Sequence, residues 1–265
     1  MFNALIVATR PGTTPDRAVQ VAAKLAQHAG LPVEAITVVR SRRNEPGAQP
    51  RHPALPQGAD RLTVLHGDDV VTEIIEHVRN RDGALLVMTT GATALLSLQR
   101  QSVTSRVLAE LRQPVLFLGP ETAGAVPPTR ATLVIGVDRN LDSQPALPVV
   151  ESWRQSFAAR TPRLVDIIPT SAWPADVRDR AAELAGLDAI VTEFGNHGID
   201  AAVTVLHGNE PVDALLDVAA EVPDPVFVMT SGRWAGGRSH WYSTTRQLLR
   251  RSPWPVLIVP NQHRS

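Results

Sequence analysis

Short, unbroken apolar runs alternate along this chain with amphipathic stretches of helical period. In the first half the runs predict strands at Leu5–Ala8, Val33–Val39, Arg61–Leu65, Ala84–Thr89 and Val115–Leu118. Most are continuous rather than alternating, as expected of parallel strands covered on both faces. Between the first two, Ala18, Ala22, Leu25 and Ala29 share one helical face, with Thr14 as the expected N-cap, Pro15 in the first turn and Gly30 as terminator. Val71, Ile74, Ile75 and Val78 mark a second helix, and Ser102 to Arg112 a third. The second half predicts strands at Leu133–Val137, Arg163–Ile168, Ala201–Leu206, Val226–Thr230 and Val256–Val259. Its long helix, Ala175 to about Phe194, has no first-half partner, because an Arg/Pro-rich stretch from Arg40 to Asp60 reads as an irregular loop. Trp153 and Phe157 are expected in the core, on the first helix of this half.

The halves are copies. Thr63-Val64-Leu65-His66-Gly67 recurs unchanged as Thr204-Val205-Leu206-His207-Gly208. The same register pairs Val87-Met88-Thr89 with Val228-Met229-Thr230, Gly91 with Gly232, Ser102 with Ser243, Thr104 with Thr245, and Pro114-Val115-Leu116 with Pro255-Val256-Leu257. So long a period marks a duplicated domain, since solenoid repeats recur every ~20–50 residues. The Gly/Pro-rich stretch from Gly119 to Pro128 reads as the linker. The fold expected is therefore α/β: two tandem Rossmann-like domains, 1–120 and 130–261. Each is a five-stranded parallel sheet of order 3-2-1-4-5 with helices on both faces.

Composition narrows the function classes. Net charge is +0 and 43% of residues are hydrophobic, so no overall field draws the chain to nucleic acid or anionic lipid. Cysteine is absent, which removes disulfides, thiolate nucleophiles and cysteine-bound zinc, and fits a cytoplasmic setting. No apolar run approaches the ~20 residues of a membrane span, and the N-terminus reads as a strand rather than a signal peptide. Among the 26 basic residues only Lys24 is a lysine. Arginine suits anion contacts, but surface ion pairing is its commoner use.

In a doubly wound sheet, ligands sit at the carboxyl ends of the strands where the order reverses. Here that is the crevice between strands one and four, lined by Thr9, Arg10, Thr89, Thr90 and Gly91 in the first half. In the second half the lining is Val137, Asp138, Thr230, Ser231 and Gly232. Gly91 precedes Ser102 by 11 residues, as Gly232 precedes Ser243, and Pro114 and Pro255 follow those serines by 12. With the Pro-Val-Leu strands, these spacings resemble the universal stress protein family over nearly the whole chain, twice.

That resemblance implies a stress-response binding and regulatory module rather than an enzyme, of a bacterial family in which some members bind ATP. In the ATP-binding branch the aspartate ending strand one contacts the nucleoside, and glycines admit the phosphates to a helix N-terminus. By this analogy the nucleotide candidates are Val137, Asp138, Thr230, Ser231, Gly232, Ser243 and Thr245. Thr89, Gly91, Ser102 and Thr104 form a weaker set in the first half. The pocket departs from the pattern: Arg10 replaces the aspartate in the first half, and Gln101 and Tyr242 replace the glycine before the last helix. Ser102 and Ser243 also suit plain N-caps. The resemblance further implies pairing through the last strands, where Leu116, Phe117, Leu257 and Ile258 lie, as an intrachain pseudo-dimer or a homodimer. The alternatives are a slow ATPase or adenylyl-transferring enzyme of a related fold, and a protein-interaction module without nucleotide.

Other motifs carry less. Residues 232–239 have Walker-A spacing with arginine in place of the lysine, but the helix is expected later, near Ser243, and the first half has no counterpart. Trp234, His240, Trp241 and Tyr242 beside Arg233 and Arg238 suit stacking on a base, or packing on the other half. His66 and His207 end the third strands without a second ligand at metal spacing, so no structural metal is expected. No grouping supplies nucleophile, base and orienter.

Overall fold

The computed structural model describes residues 1–10, 16–39, 53–90, 102–122, 130–137, 146–168, 177–231 and 240–260, apart from the side chains of 177–184, 231 and 240–243. In chain order the first half runs β1 (Ala4–Thr9), α1 (Arg17–Ala29), β2 (Val33–Val39), β3 (Arg61–His66), α2 (Val70–Arg79), β4 (Ala84–Thr89), α3 (Val103–Glu110) and β5 (Val115–Leu118). The second half runs β6 (Thr132–Val137), α4 (Ala146–Phe157), β7 (Arg163–Ile168), α5 (Val177–Asn196), β8 (Ala202–His207), α6 (Pro211–Ala220), β9 (Pro225–Ser231), α7 (His240–Arg251) and β10 (Val256–Pro260).

All ten strands form one sheet, in the order β3-β2-β1-β4-β5-β10-β9-β6-β7-β8. This corrects the expectation of two separate five-stranded sheets. Each half keeps the order 3-2-1-4-5 with parallel neighbours, but β5 and β10 pair antiparallel, Phe117 opposite Val256 and Leu116 opposite Leu257. The reason is burial. Every residue of β5 is fully buried, so neither face nor edge tolerates water. Because the joint is antiparallel, the carboxyl ends of the two sets of strands point to opposite ends of the sheet.

The core is shared as well. On one face an apolar cluster runs from α1 across Leu116 and Leu257 to α4 and Phe194 of α5. On the other face a second cluster links α2 and α3 to α6 and α7 through Val115, Phe117 and Ile258. The chain start belongs to the second half's helix: Phe2 stacks on Phe157 at 5.9 Å, and Trp153 meets Phe157 edge-on at 4.8 Å. The backbone N–H of Phe2 donates to Ser156 Oγ at 3.1 Å, in a buried site. Ser156→Ala leaves that N–H unpaired and is expected to cost about 1–3 kcal/mol of stability, read as a lower urea midpoint with an unchanged slope.

Local signals explain most element ends. Gly30 closes α1 in the left-handed region, φ 66°. The α1 cap differs from expectation: Asp16, not Thr14, holds it, its carboxylate accepting from Ala18 N–H at 2.9 Å. Thr14 and Pro15 lie outside the described residues. An aspartate next to the first helical residue reaches the N2 amide directly, which a threonine two positions earlier cannot. Trp153 and Phe157 are fully buried on α4.

Candidate functional site

The order reversal beside β1 and β6 places one crevice at the carboxyl end of each half. In the first half β1 lies between β2 and β4, and Thr9 stands opposite Thr37. Thr9 Oγ1 donates to the carbonyl of Ile36 at 3.1 Å, so its hydroxyl ties β1 to β2. Thr89 is exposed, whereas Thr90 is 4% exposed and donates its N–H to Leu118 O at 2.9 Å. The hydroxyls of Thr90 and of the buried Thr37 have no hydrogen-bond partner among the described residues. They flank the end of β1 on either side. A buried hydroxyl without a partner carries a desolvation cost of about 1–3 kcal/mol, which an added hydrogen-bonding group would remove.

The helix opening this crevice is already capped. Ser102 Oγ accepts from Ser105 N–H at 3.2 Å and shares a 2.7 Å hydrogen bond with Ser105 Oγ. Thr104, in the first turn, is 6% exposed. Arg106 of the same helix grips Asp69, the N-cap of α2, through two contacts of 2.8 and 2.6 Å. The Arg106 and Thr72 hydrogen bonds hold the Asp69 carboxyl far below the usual carboxylate range. Arg10 is exposed at the crevice mouth. Burial raises the Asp16 carboxyl above its usual value; amide hydrogen bonds and the charges of Arg10 and Arg17 oppose this without cancelling it.

The second crevice differs in charge. Val137, 1% exposed, ends β6 and stands opposite Asp166 of β7, a carboxylate only 4% exposed. Asp166 occupies the place that Thr37 holds in the first half, as the residue paired with the last position of the first strand. The ends of β9 and β10 pair Thr230 with Val259 and Ser231 with Pro260. Thr245 is 3% exposed on α7, and its neighbour Thr244 is buried too. Ser243 lies inside the first turn of α7, which starts at His240, so it is not the N-cap that its match with Ser102 suggested. Asp138, Gly232 and the arginine-tryptophan loop at 233–239 lie outside the described residues, as do Gly91 and Gln101.

Sequence reasoning missed Thr37 and Asp166. Each is a buried polar residue in a mostly apolar strand that also carries a charged residue near its start, Glu34 in β2 and Arg163 in β7, so residue type alone did not single it out. It also missed Glu34, 2% exposed on β2. The Glu34 carboxylate accepts from Arg61 and Thr63, both at 2.6 Å, and contacts His77 at 3.1 Å and Arg81 at 3.2 Å. Burial alone would raise its pKa; the hydrogen bonds from Thr63 and Arg61 and the charges of His77 and Arg81 outweigh that and lower it. Glu34 lies near the amino end of β2, away from the crevice, so its work is structural. The equivalent position of β7 is Arg163, which reaches Glu221 at 3.7 Å.

His66 and His207 end β3 and β8, at the two outer edges of the sheet. Among the described residues no group of three or more His, Asp or Glu could hold a metal ion, and no helix is long and apolar enough to cross a membrane.

Residues 130–260 match the model of the Universal stress protein family. Among solved structures, a universal stress protein from Archaeoglobus fulgidus DSM 4304 superposes with a TM-score of 0.65 at 18% identity, covering 97% of this chain and 96% of its own. A protein from Pseudomonas aeruginosa UCBPP-PA14, provisionally assigned to the universal stress proteins, gives 0.63 at 14% identity, covering 98% and 93%. A functionally unknown protein from Pseudomonas aeruginosa PAO1 gives 0.63 at 15%, covering 98% and 92%. These likenesses, each spanning nearly all of both chains, are likenesses of fold. No curated protein matches the chain.

Proposed function

We propose that this chain, whose residues 130–260 form a universal stress protein domain, is a tandem member of that family and a binding and regulatory module rather than an enzyme. Its ligand is an adenine nucleotide held in the second-half crevice. The observation that carries the reading is the polar residue kept beneath each crevice in a buried strand, Thr37 in the first half and Asp166 in the second. A carboxylate there, with Asp138 next along from Val137, supplies acceptors for the hydroxyl and amino donors of a nucleoside.

The two halves then divide the work. Arg10 stands in the first half where the second has Asp138, so the first crevice lacks the acceptor that a ribose needs. In both halves the residue before the last helix carries a side chain, Gln101 or Tyr242, where a glycine would let phosphate approach the amides. The nucleoside is therefore the better held part of the ligand. Thr104 and Thr245, both buried, support their helices' packing more than ligand contact.

The test is titration calorimetry with ATP and with adenosine, joined to mass spectrometry of nucleotide released on denaturation. One site per chain is expected, weakened at least tenfold by Asp138→Ala and little changed by Arg10→Ala, with no magnesium-dependent turnover. Turnover abolished by Asp138→Ala would mean a slow nucleotide-hydrolysing enzyme. No binding at all would leave a protein-interaction module.

A further inference from the structure

We propose that β8 is a docking edge for a second copy of this chain, joining two ten-stranded sheets through an antiparallel β8–β8 ladder about a two-fold axis. Among the described residues β8 is a terminal strand of the sheet and pairs only with β7. The N–H groups of Ala202 and Gly208 donate inward, to Pro162 O and Ile168 O. Alternation then turns the backbone groups of Val203 and Val205 outward. An unpaired row of this kind is a template for another strand unless charge, proline or a bulge blunts it.

The opposite edge is blunted and β8 is not. Both strands contain Thr-Val-Leu-His. At β3 the segment is preceded by Asp60, whose carboxylate accepts from Val33 N–H at 2.7 Å, and it starts with Arg61, half exposed and paired with Glu34. The corresponding residues at β8 are Ala201 and Ala202, and the strand carries no lysine, arginine, acid, proline or glycine. Its side chains are also the less covered: Val203 is 41% exposed and Val205 37%, while Leu62 and Val64 of β3 are only partly exposed. An uncharged β-strand with branched side chains matches the exposed valines of such an edge, and β8 itself is one.

The strand is complementary to itself in one register. With Thr204 on the axis, Val203 faces Val205 of the second copy and Val205 faces its Val203. Both pairs are in hydrogen-bonded positions, because those residues present their backbone outward. Four valines then close one face, while Ala202 and Leu206 meet across the other. Cross-strand pairs of branched residues favour such ladders. The chain already accepts an antiparallel joint between equivalent strands, β5 with β10, so the same kind of seam continues the sheet outward. A single-strand seam is small beside the ~1,600 Å² of a standard interface. The dimer is therefore weak and concentration-dependent.

The absence of cysteine makes the test clean. In Thr204→Cys the new thiols of two copies face each other at a non-hydrogen-bonded pair, within disulfide reach. Mild oxidation of the full chain is expected to give a covalent dimer on a non-reducing gel. Thr63→Cys, the matching position on β3, stays monomeric. By light scattering the unmodified chain rises from 28.6 kDa toward twice that mass with concentration, and Val205→Lys raises the dissociation constant at least tenfold. Equal cross-linking of the two cysteine variants, a single-chain mass at every concentration, or a dimer that Val205→Lys leaves intact would each overturn the proposal.

Discussion

Gly119→Ala is expected to destabilise the chain by about 3 kcal/mol, because a Cβ at this site has no room and its neighbour cannot move. An ideal Cβ on Gly119 would lie 2.2 Å from the backbone oxygen of Leu249 and 3.3 Å from its carbonyl carbon. That carbonyl belongs to α7, which is anchored by Leu248 and Leu249, both fully buried. On its other side the segment is gripped by Arg17, whose guanidinium donates to Gly119 O at 2.6 Å and Thr122 O at 2.5 Å. Gly119 sits just past β5, so the clash falls on the seam between the halves. A midpoint drop of roughly 6–12 °C follows for a chain of this size. Gly195→Ala is the matched contrast. Nothing lies within 4 Å of its added Cβ, and the site is helical. There alanine is expected to stabilise by about 0.5–1 kcal/mol. Equal effects at the two glycines would refute the steric account.

The second large effect is at Glu34. Glu34→Gln keeps the shape but removes the charge that Arg61, Arg81 and His77 converge on. Breaking a buried pair costs about 3–5 kcal/mol, and the partial exposure of Arg61 and Arg81 lets them rehydrate, so about 2–3 kcal/mol is expected. The pH dependence has a definite sign. The folded-state pKa of Glu34 is lowered, so its contribution is fully present above the unfolded glutamate value, ~4.3, and is lost as pH falls through the folded value. The wild-type advantage over Glu34→Gln should therefore be full at pH 7 and shrink below about pH 4, as measured by urea unfolding at each pH. An advantage independent of pH would mean that packing, not charge, holds the cluster.

Most of the fold was legible in the residues because strand burial and helix periodicity are local properties. Val33–Val39, Ala84–Thr89, Val115–Leu118 and Arg163–Ile168 are strands with the bounds their apolar runs predict. The caps at Ser102 and Gly30 follow from residue type alone. Less of the candidate site was legible. Thr90 and Asp138 follow from the crevice that the strand order predicts, and the nucleotide role of Asp138 from the family resemblance, whereas Thr37 and Asp166 matter only through what surrounds them. A threonine in a strand is unremarkable until its hydroxyl is found buried without a partner.

What the amino-acid order determined by itself is the repeated strand-helix unit, its parallel pairing within each half, and the crevice that the order reversal creates. Hydrophobic period and turn chemistry act over a few residues, so the linear order carries them. Pairing through the last strands was an expectation of the family resemblance; only the tertiary structure decided that β5 and β10 meet antiparallel within one sheet, that one core is shared on each face, and that the crevices open at opposite ends. It also decided that Arg61 stands on one outer edge while β8, at the other, pairs among the described residues only with β7. Those outcomes depend on contacts between residues more than a hundred positions apart, such as Phe2 with Phe157 and Gly119 with Leu249, where shape and burial, rather than local pattern, select the partner.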